Sequence, residues 1–379
     1  MSDDETTAWL AIALAAEGRP DGWLRLVSAF GGALAAVRAG DEALAAAGAR
    51  PAAIEKLRES WRDDAPRHME RCRRLGLRIA ALGDSAYPAL LRQVPDPPLA
   101  LFWKGCEPSA CSPAVAVVGA RACSDYGERT ARSLGRGLAE AGIVVVSGLA
   151  RGIDVAAHRG ALEGGRTAAV LAGGLDRIYP PEHTGLASNI LDRGGCLLTE
   201  QPAGRTPRAW LFPFRNRIIT GLCQATVVVE ARSRSGSLAS ARHALDQGRD
   251  VLAVPGPIDS PLSEGTNRLL RHGAAPFCAL TDLAGIPGLR SLDEKNRHKL
   301  SKKKVILPDD LSPKEAVIIA FLDHSPATAD QICASTALDG TEVLALLTAL
   351  ELDGHVRREG HGLFRATVGN RRPGQFHPY

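Results

Sequence analysis

The stretch at residues 199–244, TEQPAGRTPRAWLFPFRNRIITGLCQATVVVEARSRSGSLASARHA, contains the pattern that decides the fold. Its run ATVVVEA (225–231) is short and β-branched with polar residues on either side, which is typical of a parallel strand covered on both faces. The loop ARSRSGS follows, with small residues and two arginines, and SLASARHALDQG (237–248) is expected to form a helix beginning near Ser237. This strand–loop–helix unit places free helical amides at the carboxyl end of a strand.

The same alternation extends through the chain from Ala114 onward. Short apolar runs are separated by helical stretches, and the runs are AVAVVG, IVVVSG, TAAVLAGG, CLLTE, ATVVVEA and DVLAVPG. Alternating strands and helices predict an α/β fold with a mainly parallel sheet wound on both faces, and ligands then bind beyond the carboxyl ends of the strands. Upstream, RIAALG is a possible strand, and the proline-flanked LALFWKG is expected to be an edge strand of the same sheet.

The arginines of the opening stretch alternate with aromatic residues and have no acidic residue among them. The alternating side chains are Arg205, Arg208, Trp210, Phe212, Phe214, Arg215 and Arg217. Guanidinium groups beside aromatic rings fit a phosphate backbone and its bases. The alternative, a solvated basic face, stays open, although the small-residue loop nearby favours an anion site.

Composition narrows the functional classes. A chain of 379 residues is expected to form two or three domains, and a net charge of +4 permits nucleic-acid binding without requiring it. The eight cysteines form no CxxC pair and no zinc-type spacing, so we expect scattered small hydrophobes in a reducing cytosol and no metal. An acidic start at residues 1–7 and the lack of a membrane-length apolar run predict a cytoplasmic protein without a membrane partner.

The segments on either side of the alternating pattern differ from it. Short helices opened by Pro or Asp or ended by Gly predict a small helical module resembling sterile-alpha-motif or helix–hairpin–helix bundles, which either contacts DNA or protein or caps the next domain. Three helices and a strand pair around Gly360 predict a winged helix, whose acidic third helix favours protein contact over DNA contact. The expected domains are 1–63 helical module, 64–290 sheet domain, 291–311 basic linker, 312–367 winged helix and 368–379 disordered tail.

Several enzyme classes lack their motifs. The first strand is followed by Gly119-Ala-Arg121 instead of GxGxxG, and GxxxxGK[ST], HExxH and GxSxG are absent from the sequence. Asp154 and His158 are four apart in GIDVAAH, so they share one helix face as either an acid–base pair or, more commonly, part of a buried network. Tyr179-Pro180 either places a ring at the mouth of the crevice or only turns the chain.

At these loops the sequence resembles the bacterial DNA-processing protein A family, also called Smf. The resemblance covers about residues 80–283 and rests on GARxxSxYG, SGLARGIDxAAH, GGLDxIYP, TExPxGxxPxxxxFPxRNRIIxGL, SGSLxxAxxAxxxGRxVxAVPG and GxNxLLxxGA. The flanking modules also resemble those of longer members. The resemblance implies an extended Rossmann-like domain that binds single-stranded DNA in a basic pocket and dimerises, with no catalysis and no cofactor. It also implies loading of RecA recombinase onto incoming strands in natural transformation.

Motif by motif, the resemblance assigns DNA-binding residues to the pocket loops. They are Arg121, Ser124, Ser147, Gly148, Arg151, Arg208, Arg215, Asn216, Arg217, Ser235, Gly236 and Ser237. Relatives often carry Lys directly after the YP dipeptide, whereas this chain has Pro181 and Glu182, so one phosphate contact is expected to be missing or moved.

Two other functions remain as alternatives. One is a Rossmann-like nucleotide hydrolase resembling the lysine-decarboxylase-like phosphoribohydrolases, but the nearest loops, LAGGLDRIYP and VPGPIDSPLSEG, do not match their PGGxGTxxE motif. The other is a transcription regulator that binds duplex DNA through the winged helix, and the acidic third helix argues against it.

Overall fold

The computed structural model describes residues 1–17, 21–289, 311–324, 326–336, 338–359 and 362–367. The contacts divide the chain into two compact units, Met1–Leu300 and Ser301–Tyr379. Residues 291–310 of the expected linker, the expected tail at 368–379, and Gly360 of the expected strand pair lie outside the described residues.

A mostly parallel sheet is the centre of the first unit, as the sequence predicts. In its described part the strands are β1 Arg78–Ala81, β2 Ala100–Gly105, β3 Ala114–Val118, β4 Val144–Ser147, β5 Thr167–Val170, β6 Cys196–Thr199, β7 Ala225–Val228, β8 Asp250–Ala253 and β9 Ala275–Pro276. Their order across the sheet is β1-β2-β6-β5-β4-β3-β7-β8-β9, with β3 to β9 parallel to one another. This confirms the extended Rossmann-like α/β class.

The expected edge strand LALFWKG is not at the edge. It forms β2, which pairs antiparallel with β6 on one side and with β1 on the other. The run RIAALG supplies β1, and its pairing from Arg78 opposite Trp103 to Ala81 opposite Ala100 covers the side of β2 that was expected to be free. The proline-rich flanks therefore mark the end of the parallel part of the sheet, and β1 is the outer strand.

Helices cover both faces of the sheet. Those that follow the strands are α8 Asp125–Glu140, α9 Ile153–Gly164, α10 Thr184–Asp192, α11 Leu211–Gly221, α12 Gly236–Asp246 and α13 Glu264–Arg271. Alternate residues of β3 face opposite layers, so Val115 and Val117 pack with Leu138, whereas Ala116 packs with Ile218. A strand buried on both faces explains why its sequence is continuously apolar.

The amino-terminal helices form a third apolar layer against the end of the sheet. They are α1 Asp3–Ala16, α2 Asp21–Ala29, α3 Ala33–Arg38, α4 Asp41–Ala46, α5 Pro51–Glu59 and α6 Ala65–Leu75, followed by the short α7 Ala89–Arg92. Trp9 and Ile12 of α1 share a core with Ala81, and Leu10 shares another with Phe102. A π-helical turn at Ser60–Asp64 joins α5 directly to α6, so the helical run is continuous across the domain boundary expected between residues 63 and 64.

The second unit has the predicted winged-helix order. Its described elements are α14 Pro313–His324, α15 Ala329–Thr336, α16 Gly340–Leu352, β10 Val356–Arg358 and β11 Phe364–Ala366. The two strands pair antiparallel, and Ala327 bridges to Phe364 beside them. In the described chain no single helix is long and apolar enough to cross a membrane, whereas the bent pair α15 and α16 meets the requirement by length and composition alone.

The sheet of the first unit reverses its strand order at β3. From β3 the chain moves outward through β4 and β5 on one side and then returns to place β7 on the other side. Such a reversal opens a crevice beyond the carboxyl ends of the two central strands. The loops that follow β3 and β7 therefore lie at the expected ligand-binding edge.

Candidate nucleic-acid interface

A buried carboxylate joins the two loops at the reversal of strand order. Glu230, which follows β7, accepts hydrogen bonds from the amide of Ser124 at 2.9 Å and from its hydroxyl. Ser124 also caps α8, because its Oγ accepts the amide of Gly127 at 3.1 Å. A Cβ on Gly127 would lie 2.3 Å from a carboxylate oxygen of Glu230, so only glycine fits there. Ser124, which is expected in the DNA pocket, therefore also holds the crevice loops together.

The loop after β4 packs against the loop after β3. The amide of Ile153, at the start of α9, donates to the carbonyl of Ala120 at 3.2 Å. Asp154 lies in the first turn of α9, and its carboxylate accepts the amides of Gly148 and Ala150 at 3.1 and 3.3 Å. These contacts hold both loops in one conformation, with Arg121 exposed at their outer side.

Four aromatic side chains from the segments that follow β5 and β6 form two ring pairs, Tyr179 with Phe212 and Trp210 with Phe214, and we call these four side chains the aromatic row. The guanidinium carbon of Arg121 is 5.1 Å from the ring centre of Phe212, which is 5.7 Å from that of Tyr179. The Trp210 and Phe214 ring centres are 6.4 Å apart. Tyr179 and Trp210 are 50% and 53% exposed, so large ring surfaces face solvent, and Arg121 lies over the neighbouring Phe212. Exposed rings next to arginine are a platform on which bases stack.

The helix α11 carries two of the four rings, Phe212 and Phe214, and it starts directly after Trp210. Arg217 and Asn216 of α11 lie on different sides of this helix and contact different partners. Phe214 and Arg217 are three residues apart, and the guanidinium carbon of Arg217 lies 4.2 Å from the Phe214 ring centre. Asn216 lies on another side of the helix, where its amide nitrogen donates to the carbonyl of Gly236 at 3.4 Å.

Arg217 makes its contacts inside the fold in this structure, and its assignment as a DNA contact remains a prediction. Only 1% of its side chain is exposed. Its Nη2 donates to both carboxylate oxygens of Glu200 at 2.7 and 2.9 Å, and its Nε lies 3.0 Å from Asp96. Burial raises the pKa of Glu200, and the charge of Arg217 opposes that rise. A guanidinium that is buried and paired with two carboxylates has no exposed face for a phosphate in this conformation.

Arg215 also makes its contacts inside the fold, and its assignment as a DNA contact likewise remains a prediction. Its Nη1 donates to the carbonyl of Val170 at 2.5 Å, and only 6% of the residue is exposed. Burial lowers its pKa to about 10, with Asp154 opposing the change. A Cβ on Gly148 would lie 1.9 Å from that nitrogen, so the glycine allows the loop after β4 to lie directly on the guanidinium. The guanidinium of Arg215 therefore packs against the loop after β4 and stabilises it.

Three further expected contacts are also occupied within the fold. The hydroxyl of Ser147 is buried and donates to the carbonyl of Val117 at 2.6 Å. Gly148 is buried, and its amide is held by Asp154. Ser237 is buried, with its hydroxyl 2.7 Å from that of Ser235. These residues shape the loops, and their expected phosphate contacts are not available in this conformation.

The remaining expected residues are at least partly accessible. Ser235 caps α12 and Gly236 is exposed at its first turn, next to the exposed Arg232 and Arg234. Arg208 is also exposed, as is Arg151, whose Nε donates to Glu182 at 2.7 Å. Glu182 therefore partly neutralises Arg151 at the place where relatives often carry Lys. As DNA contacts, these residues remain predictions.

His158 and Asp154 belong to buried contacts instead of an open acid–base pair. The hydroxyl of Thr167 donates to the carbonyl of Val145 at 2.7 Å, so His158 Nδ1, also 2.7 Å from that hydroxyl, must be the donor between them. His158 is fully buried, and burial lowers its pKa to about 3. A neutral, enclosed imidazole cannot exchange protons with a ligand in the crevice.

Comparison with known proteins agrees with this architecture. A family model described as DNA recombination-mediator protein A matches residues 78–285, and one described as DprA winged helix domain matches residues 305–362. The chain belongs to this family. The resemblance drawn from the motifs is thereby confirmed, and so is the winged helix.

Similar proteins within the family cover most of the chain. Protein Smf of Escherichia coli strain K12 is 40% identical over 285 residues, which is 74% of this chain and 75% of that protein. The X-ray structure of DNA processing protein A from Streptococcus pneumoniae superposes with a TM-score of 0.64 at 34% identity, covering 73% of this chain and 96% of that one. DNA processing protein A from Helicobacter pylori, whose structure is described for its single-stranded DNA binding mode, gives a TM-score of 0.50 at 28% identity and covers 57% and 97%.

Proposed function

We propose that this protein binds single-stranded DNA along the carboxyl edge of its sheet. The observation that carries the proposal is the aromatic row, with two half-exposed rings and Arg121 at its end. A single strand exposes base faces that a duplex hides, so stacking on these rings selects single strands without selecting a sequence. Exposed arginines near the row supply phosphate contacts, and the candidates are Arg121, Arg208, Arg232 and Arg234.

The edge is better suited to binding than to turnover. Its candidate acid–base residues, Asp154 and His158, are both buried in contacts with the protein. Glu230, the acid nearest the central loops, is 3% exposed and is held by Ser124. A carboxylate occupied in this way is a poor candidate for attack on a nucleotide, which supports a non-catalytic protein.

The salt dependence of binding tests the proposal. Four phosphate contacts at about −0.7 each predict a slope near −3 for the logarithm of affinity against the logarithm of salt concentration on oligo-dT. Fluorescence anisotropy at several salt concentrations measures it, with a duplex of the same length as the control. A slope near zero, or tighter binding to the duplex, contradicts the proposal.

We further propose that the protein is a recombination mediator. In this role it protects incoming strands during natural transformation, loads RecA recombinase onto them, and acts as a homodimer through the sheet domain. Family membership supports this role, and the region 251–283 supplies apolar surface for self-association, since Ile258 is fully exposed.

A further inference from the structure

Three cysteines that are distant in the sequence come together at the opposite edge of the sheet. Cys106, Cys111 and Cys196 have Sγ atoms within 4.8 Å of one another, and the Cys106 and Cys111 sulfurs are 3.7 Å apart. The expectation that the cysteines are scattered is therefore wrong for these three. Cys196 is paired through the sheet with Gly105, next to Cys106, and this long-range pairing is invisible in local cysteine spacing.

The cluster is built by ordered elements. Cys106 directly follows β2, Cys196 begins β6, and Cys111 follows a 3₁₀ turn at Pro108–Ala110. The amide of Cys106 donates to the carbonyl of Gly195 at 2.9 Å, which holds the end of β2 beside the start of β6. Cys111 and Cys196 are buried, whereas Cys106 is partly exposed. The sulfurs are thus already gathered, with one side of the group open to solvent.

The distances between the three sulfur atoms fit a metal ion that is bound tetrahedrally by thiolates. Zn–S bonds of about 2.3 Å place neighbouring sulfurs of a tetrahedron about 3.8 Å apart. Three thiolates leave a zinc complex with one negative charge, and Arg166 lies close enough to act on this group. The spacing of the sulfurs therefore suits one zinc ion held by three thiolates.

We propose that Cys106, Cys111 and Cys196 bind one zinc ion. Its fourth position opens on the side of the partly exposed Cys106, where water completes the tetrahedron. The ion ties the connection between β2 and β3 to the start of β6. Because β6 begins here, the zinc site lies at the amino ends of the parallel strands, away from the loops that carry the aromatic row. Its role is to stabilise the sheet, and DNA binding does not require it.

Metal content of the reduced full-length protein tests the site. After loading with zinc and dialysis, we expect one zinc per chain in the parent and in Cys123→Ser and Cys278→Ser, two cysteines outside the cluster. Cys111→Ser and Cys196→Ser should retain less than a tenth of that amount. Cobalt in place of zinc should give thiolate-to-metal absorption in the parent that both cluster variants lack. Retention of no zinc by the parent, or of equal zinc by the cluster variants, overturns the proposal.

Thermal unfolding separates metal binding from damage to the fold. Saturating zinc should raise the melting temperature of the parent by roughly 5 °C, since a ligand that binds only the folded state stabilises it. Metal-free Cys111→Ser should melt close to the metal-free parent and show no rise with zinc. A zinc-dependent rise of equal size in Cys111→Ser contradicts the site.

Discussion

Replacing Arg217 with alanine should lower the free energy of unfolding by about 3–5 kcal/mol, the usual cost of breaking a buried ion pair. The change leaves the carboxylate of Glu200 largely buried without its two hydrogen bonds and removes the stacking on Phe214. Urea unfolding followed by circular dichroism measures the loss. The free energy of DNA binding, measured at a temperature where the variant is folded, should change far less than the free energy of unfolding.

Two variants control for this effect. Arg208→Ala removes an exposed arginine from the same stretch and should leave the free energy of unfolding within about 0.5 kcal/mol of the parent. The double variant Arg217→Ala with Glu200→Gln should regain part of the loss, because it no longer buries an unpaired charge. Normal unfolding of Arg217→Ala together with lost strand binding would return Arg217 to the DNA interface.

Replacing Arg121 with alanine should weaken oligo-dT binding by about ten- to a hundredfold, which corresponds to a charge-assisted hydrogen bond of about 1.5–3 kcal/mol. Arg121 is exposed beside Phe212, so its guanidinium can contact a phosphate while the neighbouring ring contacts a base. Arg121→Lys should recover only part of the affinity, because an ammonium group cannot fork onto two phosphate oxygens. Fluorescence anisotropy at one fixed salt concentration compares the variants.

Arg357→Ala in the winged helix is the matched control for this loss. Its Nη2 lies 3.4 Å from Glu359, which also accepts Arg365 Nε at 2.7 Å, so the charge of Arg357 is partly neutralised. Its removal should therefore change affinity much less than that of Arg121. Equal losses in both variants, or an Arg121→Ala protein that binds like the parent while melting normally, would refute the assignment of Arg121.

The parallel sheet could be predicted because each strand has its own local signal. The run AVAVVG is apolar throughout and ATVVVEA is rich in β-branched residues, and β3 and β7 are covered on both faces. The order at the edge could not be predicted from LALFWKG, because its pairing with RIAALG is a tertiary contact. The pocket loops could be identified for the same reason as the strands, because each family motif is a continuous stretch of the sequence.

The roles of individual arginines could not be predicted, because a run of charge does not reveal its partners. The carboxylates that hold Arg217 come from Asp96 and Glu200, on other segments of the fold. Arg215 is held by the backbone carbonyl of Val170, which has no sequence signal at all. The interleaved rings of the opening stretch did carry a usable signal: Trp210 and Phe212 belong to the aromatic row, although the assigned DNA-binding residues did not include them.

Ultraviolet cross-linking of oligo-dT to the full-length protein, with the attachment sites mapped by mass spectrometry, tests the central claim most directly. Irradiation joins thymine to side chains that touch it, so it reports where the bases lie. The account predicts attachment at Tyr179, Trp210 or Phe212 and its loss in Trp210→Ala with Tyr179→Ala. Attachment confined to the winged-helix unit or to the amino-terminal helices α1 to α6 would contradict it.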